Sequence, residues 1–178
     1  MRNCFLYVVS NSNGIANESY LLYGTSLEDI VEQAESLMEE ITGVSQKDNN
    51  GLHTHIHAME DFKGYATVID DVSLHFSVYT SPLTMKFLVE DLLFETECDG
   101  DSGSGFEEEE AENDPFSMFA YLGDSQMLAS TVKKKGMDLG EMIRKLPEVF
   151  NKDPETCREY VRKINENLSK RCAFDIRA

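Results

Sequence analysis

The chain lacks tryptophan, has four cysteines among 178 residues, and contains no long hydrophobic run. The cysteines, Cys4, Cys98, Cys157 and Cys172, form no Cys-x-x-Cys pair, so the sequence predicts neither a disulfide framework nor a thiolate zinc site. No stretch approaches the ~20 apolar residues that a transmembrane helix needs. The apolar run near the N-terminus is too short for a signal peptide. We therefore expect a soluble, cytoplasmic protein whose thiols are reduced.

Basic residues are scarce in the first three quarters of the chain. Residues 1–132 hold 25 acids and 4 bases, whereas residues 133–178 hold 8 acids and 12 bases, for a total net charge of −17. Because so negative a field repels nucleic acid and anionic membranes, we expect neither to bind directly. The chain also has no Gly-x-Ser-x-Gly, phosphate-loop, His-Glu-x-x-His or dinucleotide-binding motif, so no motif indicates a catalytic reaction.

The pattern of apolar residues predicts an α+β protein. The β-rich runs CFLYVVS and SYLLYG, separated by turn residues, predict an N-terminal hairpin, and LHTHIHAM, YATVID and VSLHFSVYT predict further strands. We expect these strands to form an antiparallel sheet with two helices, over 26–42 and 82–95, packed on one face. The predicted organisation is a core domain over 1–96, an acidic flexible loop over 97–115 and a mainly helical C-terminal portion over 116–178.

The helix predicted over 26–42 has the most distinctive surface. Its apolar residues recur every three or four positions, Thr25 or Ser26 is available as the N-cap, and Gly43 as the stop. Like charges at helical spacing destabilise a helix by ~0.2–0.5 kcal/mol per pair, so a helix selected for stability alone would mix signs. This helix instead carries six acids and no base: Glu28, Asp29, Glu32, Glu35, Glu39 and Glu40.

The spacing of these acids is close to that of phosphates in DNA. Glu28 and Glu40 are ~18 Å apart at helical rise, which gives about one charge per 3 Å, and one DNA strand carries one per ~3.4 Å. We predict a non-catalytic inhibitor that mimics nucleic acid charge and binds a basic, nucleic-acid-handling protein or complex. A second acidic run in the predicted loop is expected to contribute to the same surface: Glu107, Glu108, Glu109 and Glu110.

In this acidic composition the chain resembles the small inhibitors that bacteriophages encode against host restriction enzymes, CRISPR complexes and other nucleic-acid enzymes. The resemblance implies anti-restriction or anti-CRISPR activity in the cytoplasm of a host cell. A general acidic protein–protein adaptor is an open alternative, because acidic runs also serve as solvating spacers. The near-neutral to basic C-terminal portion is expected either to pack on the acidic body or to mediate self-association.

Three of the four histidines, His53, His55 and His57, alternate along one predicted strand. Residues two apart on a strand share a face at ~6.6 Å, so two neighbours could bind one zinc ion. His75, from another predicted strand, is the candidate further ligand. This pattern gives a second alternative function, a metal-dependent hydrolase. The competing interpretation places the imidazoles on the polar side of a half-solvated sheet, where no metal or other cofactor is required.

Overall fold

The computed structural model describes residues 3–12, 15–43, 65–69, 72–97, 139–149 and 151–175, together with 119, 120, 122, 128, 133 and 136. The strands are β1 (Cys4–Ser12), β2 (Ile15–Gly24), β3 (Tyr65–Ile69) and β4 (Val72–Tyr79). The helices are α1 (Leu27–Thr42), α2 (Pro82–Glu97), α3 (Leu139–Arg144), α4 (Leu146–Val149) and α5 (Pro154–Asp175). The α+β prediction is confirmed. The predicted LHTHIHAM strand and residues 98–115 lie outside the described residues, and the three-part division of the chain stays a prediction.

The sheet has the strand order β2-β1-β4-β3, and every neighbouring pair is antiparallel. The predicted N-terminal hairpin is therefore confirmed as β1 and β2, with Leu6 opposite Leu22. On its other side β1 pairs with β4, where Leu6 lies opposite Val78. β3 closes the order by pairing with β4, with Ala66 opposite His75. Nearly the whole of β1 thus lies between two neighbouring strands.

Each face of the sheet has its own hydrophobic core, because successive side chains of a strand point to opposite faces. On one face Leu6, Val8, Phe76 and Val78 are buried against the apolar side of α1. The other face is covered by α2 and α5. Its core contains these side chains from the sheet and the two helices: Phe5, Tyr7, Leu21, Tyr23, Tyr79, Met85, Leu88, Val89, Leu92, Val161, Ile164 and Leu168.

The prediction that both helices pack on one face of the sheet is wrong, since α1 and α2 lie on opposite faces. The reason lies in β1. Its residues from Cys4 to Tyr7 are apolar or aromatic and buried at every position, so both faces of the strand need a cover. One amphipathic helix can cover only one of these faces.

The ends of the long helices follow local rules. Ser26 caps α1, its Oγ accepting from the Asp29 N–H at 3.2 Å, and Gly43 ends the helix with φ of 69°. Ser81 likewise caps α2, its Oγ accepting from the Thr84 N–H at 3.3 Å. At the start of α5, Asp153 Oδ1 accepts from the Thr156 N–H at 2.9 Å, and this bond lowers the pKa of the Asp153 carboxyl. The first two caps agree with the helix starts predicted at 26 and 82.

The helix α5 joins the C-terminal portion to the sheet. Val161, Ile164 and Leu168 share one core with Phe5 and Leu21, residues that are more than 130 positions away in the chain. Of the two expectations for the C-terminal portion, packing on the body therefore holds for α5. Within the ranges given above, no helix is both long enough and apolar enough to cross a membrane.

Candidate functional site

The outward side of α1 presents a run of carboxylates, which we call the acidic face: Glu28, Glu32, Glu35, Glu39 and Glu40. Glu28, Glu32, Glu39 and Glu40 are exposed and Glu35 is partly buried. The opposite side of the helix is fixed by Ile30, Ala34 and Met38, which are at most 2% exposed against the sheet. Burial of this apolar stripe determines the rotation of the helix and so turns the acids toward solvent.

No lysine or arginine in the described part of the chain lies within ion-pair distance of the acidic face. The contrast with α5 is direct, because Arg162 of α5 binds both Glu159 and Glu166 one helical turn away on either side. The last turn of α1 also contains no base, although the helix dipole favours cations at that end. The charges of α1 therefore repel one another without local compensation.

Asp29, which the sequence places with the other acids of α1, has an internal role. Its Oδ2 accepts from the Thr25 N–H at 3.2 Å, and its Oδ1 accepts from Gln33 Nε2 at 3.0 Å. Gln33 Nε2 also donates to the Tyr23 carbonyl at 2.7 Å. These bonds attach the first turns of α1 to the end of β2, so Asp29 positions the acidic face.

Gly24 permits this close approach of helix and strand. A Cβ atom built on Gly24 would lie 2.9 Å from Asp29 Oδ2 and 3.0 Å from Ile30 Cγ1. Both distances are shorter than ordinary van der Waals contacts, so a larger residue would require the Asp29 or Ile30 side chain, or α1 itself, to shift. The glycine thus leaves room for the Asp29 side chain against the end of β2.

Of the predicted histidine ligands, only His75 belongs to the described residues. It is exposed on β4, with Val9 and Ala66 opposite it on the neighbouring strands. His53, His55 and His57 lie outside the described residues, as do Glu107, Glu108, Glu109 and Glu110. Among the described residues, no three histidine, cysteine or acidic side chains are arranged to bind a metal ion. The zinc site and the hydrolase remain predictions.

A buried polar cluster that the sequence patterns did not reveal connects the start of β1 to the start of α5. Asn3 Oδ1 accepts from the Tyr23 hydroxyl at 2.5 Å, and Asn3 Nδ2 lies 3.4 Å from Cys157 Sγ and donates to the Lys152 carbonyl at 3.1 Å. Burial raises the pKa of Tyr23 to about 12 and that of the Cys157 thiol to about 11. A thiol that stays protonated at neutral pH is a poor nucleophile, so the cluster indicates a structural role.

A second missed pair lies under α2, where the Tyr79 hydroxyl donates to Asp91 Oδ2. Tyr79 is fully buried and Asp91 partly so, and burial raises the pKa of both side chains. An apolar cavity of about 30 Å³ lies between the sheet, α2 and α5, and Asp91 does not line it. No sequence signal marks the Asn3 cluster or the Tyr79–Asp91 pair, because the partners meet only in the folded chain.

The chain matches no protein-family model, no curated protein and no solved structure. Inferences about function therefore rest on the chemistry of the chain itself.

Proposed function

We propose that the protein is a non-catalytic inhibitor whose acidic face imitates the charge of nucleic acid and binds a basic groove on a nucleic-acid-handling protein or complex. The observation that carries this proposal is the acidic face itself. Five carboxylates project from one helix, and no cation of the described residues neutralises them.

The geometry of α1 suits a surface that binds phosphate-recognising side chains. At a rise of ~1.5 Å per residue, the acidic face spans ~18 Å between Glu28 and Glu40. A groove that binds one DNA strand aims its lysines and arginines at charges ~3.4 Å apart along the axis. Several carboxylates can therefore face such cations at once.

The support behind the helix makes the charges preorganised. Ile30, Ala34 and Met38 anchor α1 in a core, while Asp29 and Gln33 attach its first turns to β2. A helix held in place before binding avoids the backbone ordering cost that a disordered acidic segment must meet on association. Binding also relieves the repulsion within α1, because the partner supplies the missing cations.

Charge is distributed unevenly between the two faces of the sheet. Helix α1 has six acids and no base, whereas α2 and α5, which cover the other face, together have eight acids and six bases. A field this asymmetric orients the molecule as it approaches a positively charged partner. We assign the first contact to the acidic face, with the predicted run from Glu107 to Glu110 as its extension, and place the activity in the cytoplasm, where a phage-type counter-defence protein would act.

The experiment that tests this proposal combines capture and competition. The purified chain, immobilised, is exposed to bacterial lysate at low and moderate salt, with and without duplex DNA, and the retained proteins are identified and then purified for direct binding. The proposal requires a nucleic-acid-binding partner whose binding is weakened by salt and displaced by DNA. A partner indifferent to DNA would indicate the acidic adaptor instead.

Two double variants with equal net charge locate the surface. Glu32→Lys with Glu39→Lys alters the acidic face, and Glu148→Lys with Glu155→Lys changes two exposed acids of α4 and α5 by the same amount. We expect the first pair to abolish binding to the identified partner and the second pair to preserve most of it. Equal losses would show that net charge alone matters, and would contradict the assignment of α1.

A further inference from the structure

Strand β2 forms one edge of the sheet in the described part of the chain. It is ten residues long, and its sequence IANESYLLYG contains one charged residue, Glu18, and no lysine or proline. The Glu18 carboxylate accepts from the Tyr20 hydroxyl, so even this charge is engaged. Sheet edges are usually protected by lysine, proline or a bulge that discourages pairing with another chain. The segment from Tyr20 to Tyr23 has none of these protections and is rich in residues that favour strands.

A side chain from α5 occupies the outer edge of β2 at Leu21. Asn165 Oδ1 accepts from the Leu21 N–H at 2.7 Å, and Asn165 Nδ2 donates to the Leu21 carbonyl at 2.7 Å. Because both backbone groups of Leu21 bind this one amide, they point away from β1. Asn165 therefore makes the pair of hydrogen bonds that a residue of a further antiparallel strand would make.

A second amide reaches the same edge from the other side of the sheet. Gln33 of α1 donates from Nε2 to the Tyr23 carbonyl at 2.7 Å. Tyr23 is two residues from Leu21, so its carbonyl points the same way along an extended strand. Helices from the two opposite layers thus contribute one amide side chain each to the same outer edge.

We propose that Asn165 and Gln33 protect the edge of β2 and so prevent this strand from pairing with β2 of a second copy of this chain. The strand that would pair with β2 is β2 of a second copy, because this edge is self-complementary. Two β2 strands can pair antiparallel about a two-fold axis near Leu21, each supplying the N–H and C=O groups that Asn165 now binds. The net charge of −17 opposes this association, so salt promotes it by screening the repulsion.

The test compares two asparagines of α5. Asn165→Ala removes both bonds to Leu21, whereas Asn167→Ala removes the bond that Asn167 Nδ2 makes to the Ala120 carbonyl at 3.1 Å, away from β2. Sedimentation velocity over a range of protein and salt concentrations measures the association state. We expect Asn165→Ala to shift toward dimers and larger species as salt increases, and Asn167→Ala to sediment as the wild type does.

A third change shows where the copies meet. Ser19→Pro, added to Asn165→Ala, removes the outward N–H two residues before Leu21, a substitution that edge strands tolerate. We expect Ser19→Pro to reverse the association of the Asn165→Ala protein. Association that persists, or a folded Asn165→Ala variant that behaves as the wild type at every salt concentration, would overturn the proposal.

A fourth variant covers the case in which Asn165→Ala does not fold. Asn165→Leu keeps the volume of the side chain and adds no charge, but it can neither accept from the Leu21 N–H nor donate to the Leu21 carbonyl. We expect this variant to show the same salt-promoted association in sedimentation velocity, with circular dichroism as the control for folding. A folded Asn165→Leu protein that does not associate would refute the protective role of Asn165.

Discussion

Neutralising Glu32 should stabilise the protein, and the size of the gain can be worked out from the helix. Glu32 has three like-charged neighbours at helical spacing, Glu28, Asp29 and Glu35. Each such pair costs ~0.2–0.5 kcal/mol. The pair with Asp29 is at the weak end, because that carboxylate already accepts two hydrogen bonds. Glu32→Gln should therefore raise the free energy of unfolding by about 0.5–1 kcal/mol, since glutamine and glutamate have similar helix propensity.

Urea denaturation followed by circular dichroism gives this free energy, because a change in midpoint at constant slope reports a change in stability. The gain should be largest near ~0.01 M salt, where charges interact over ~30 Å, and small near ~1 M, where the range is ~3 Å. As a matched control, Glu166→Gln makes the same change on α5, where the acid binds Arg162. The control should lose stability.

Two results would refute this reasoning about repulsion on α1. One is a Glu32→Gln protein that is no more stable than the wild type at low salt. The other is a gain that stays the same at high salt, since charge repulsion at the ~5–6 Å separation of neighbouring helical side chains must be screened. Either result would mean that the acidic face carries no stored repulsion for a partner to relieve.

Two further predictions concern buried positions. Burial raises the pKa of Asp91 above its ordinary value of 3.8, so the stability that its protonated form contributes is present at lower pH and is lost as pH rises through the folded-state pKa. Asp91→Asn removes this loss. Urea denaturation at several pH values should therefore show the free energy of unfolding of the variant increasing relative to that of the wild type as pH rises. Gly24→Ala brings a Cβ to 2.9 Å from Asp29 Oδ2 and 3.0 Å from Ile30 Cγ1. We expect a net loss of stability in the same assay, because overpacking costs ~1–3 kcal/mol and the entropic gain is ~0.4–1 kcal/mol. A more stable variant would contradict the close contact between Gly24 and α1.

Local patterns in the sequence were sufficient to predict α1 and most of the sheet. The helix begins at Leu27 and ends at Thr42, against a prediction of 26–42, because apolar periodicity, the Ser26 cap and Gly43 all indicate the same boundaries. Strands β3 and β4 fall within the runs YATVID and VSLHFSVYT for a similar reason, since alternating or β-branched residues favour a pleated, half-buried surface.

The side of the sheet on which each helix packs could not be predicted in the same way. Helix α2 has apolar residues around most of its circumference, so its sequence gives no preferred direction. A signal was nevertheless present in β1, where every position from Cys4 to Val9 is apolar or aromatic. Such a continuous run is typical of a strand that is buried on both faces, and it indicated that covers were needed on both.

Exposure of the acids on α1 followed from periodicity, but the separate role of Asp29 did not. Its bonds to the Thr25 N–H and to Gln33 depend on how closely the helix approaches β2, which is a property of the folded chain. Asn165 is a more extreme case, because it binds Leu21 across 144 positions of sequence. Pattern reasoning detects residues that repeat along one element, and it misses single polar contacts between distant elements.

Salt concentration separates partner binding from the other two electrostatic effects inferred for this chain, because only partner binding should weaken as salt increases. Screening should stabilise the isolated fold, since repulsion among Glu28, Glu32 and Glu35 is reduced. It should weaken binding of a basic partner to the acidic face. It should strengthen edge pairing once Asn165 is removed, because the copies repel each other less. A single salt series on the wild type and on Asn165→Ala therefore tests whether the acids of α1 serve to bind a partner or only to keep the protein soluble. If they serve only solubility, salt should stabilise the fold and promote edge pairing, but no salt-sensitive partner binding should be found.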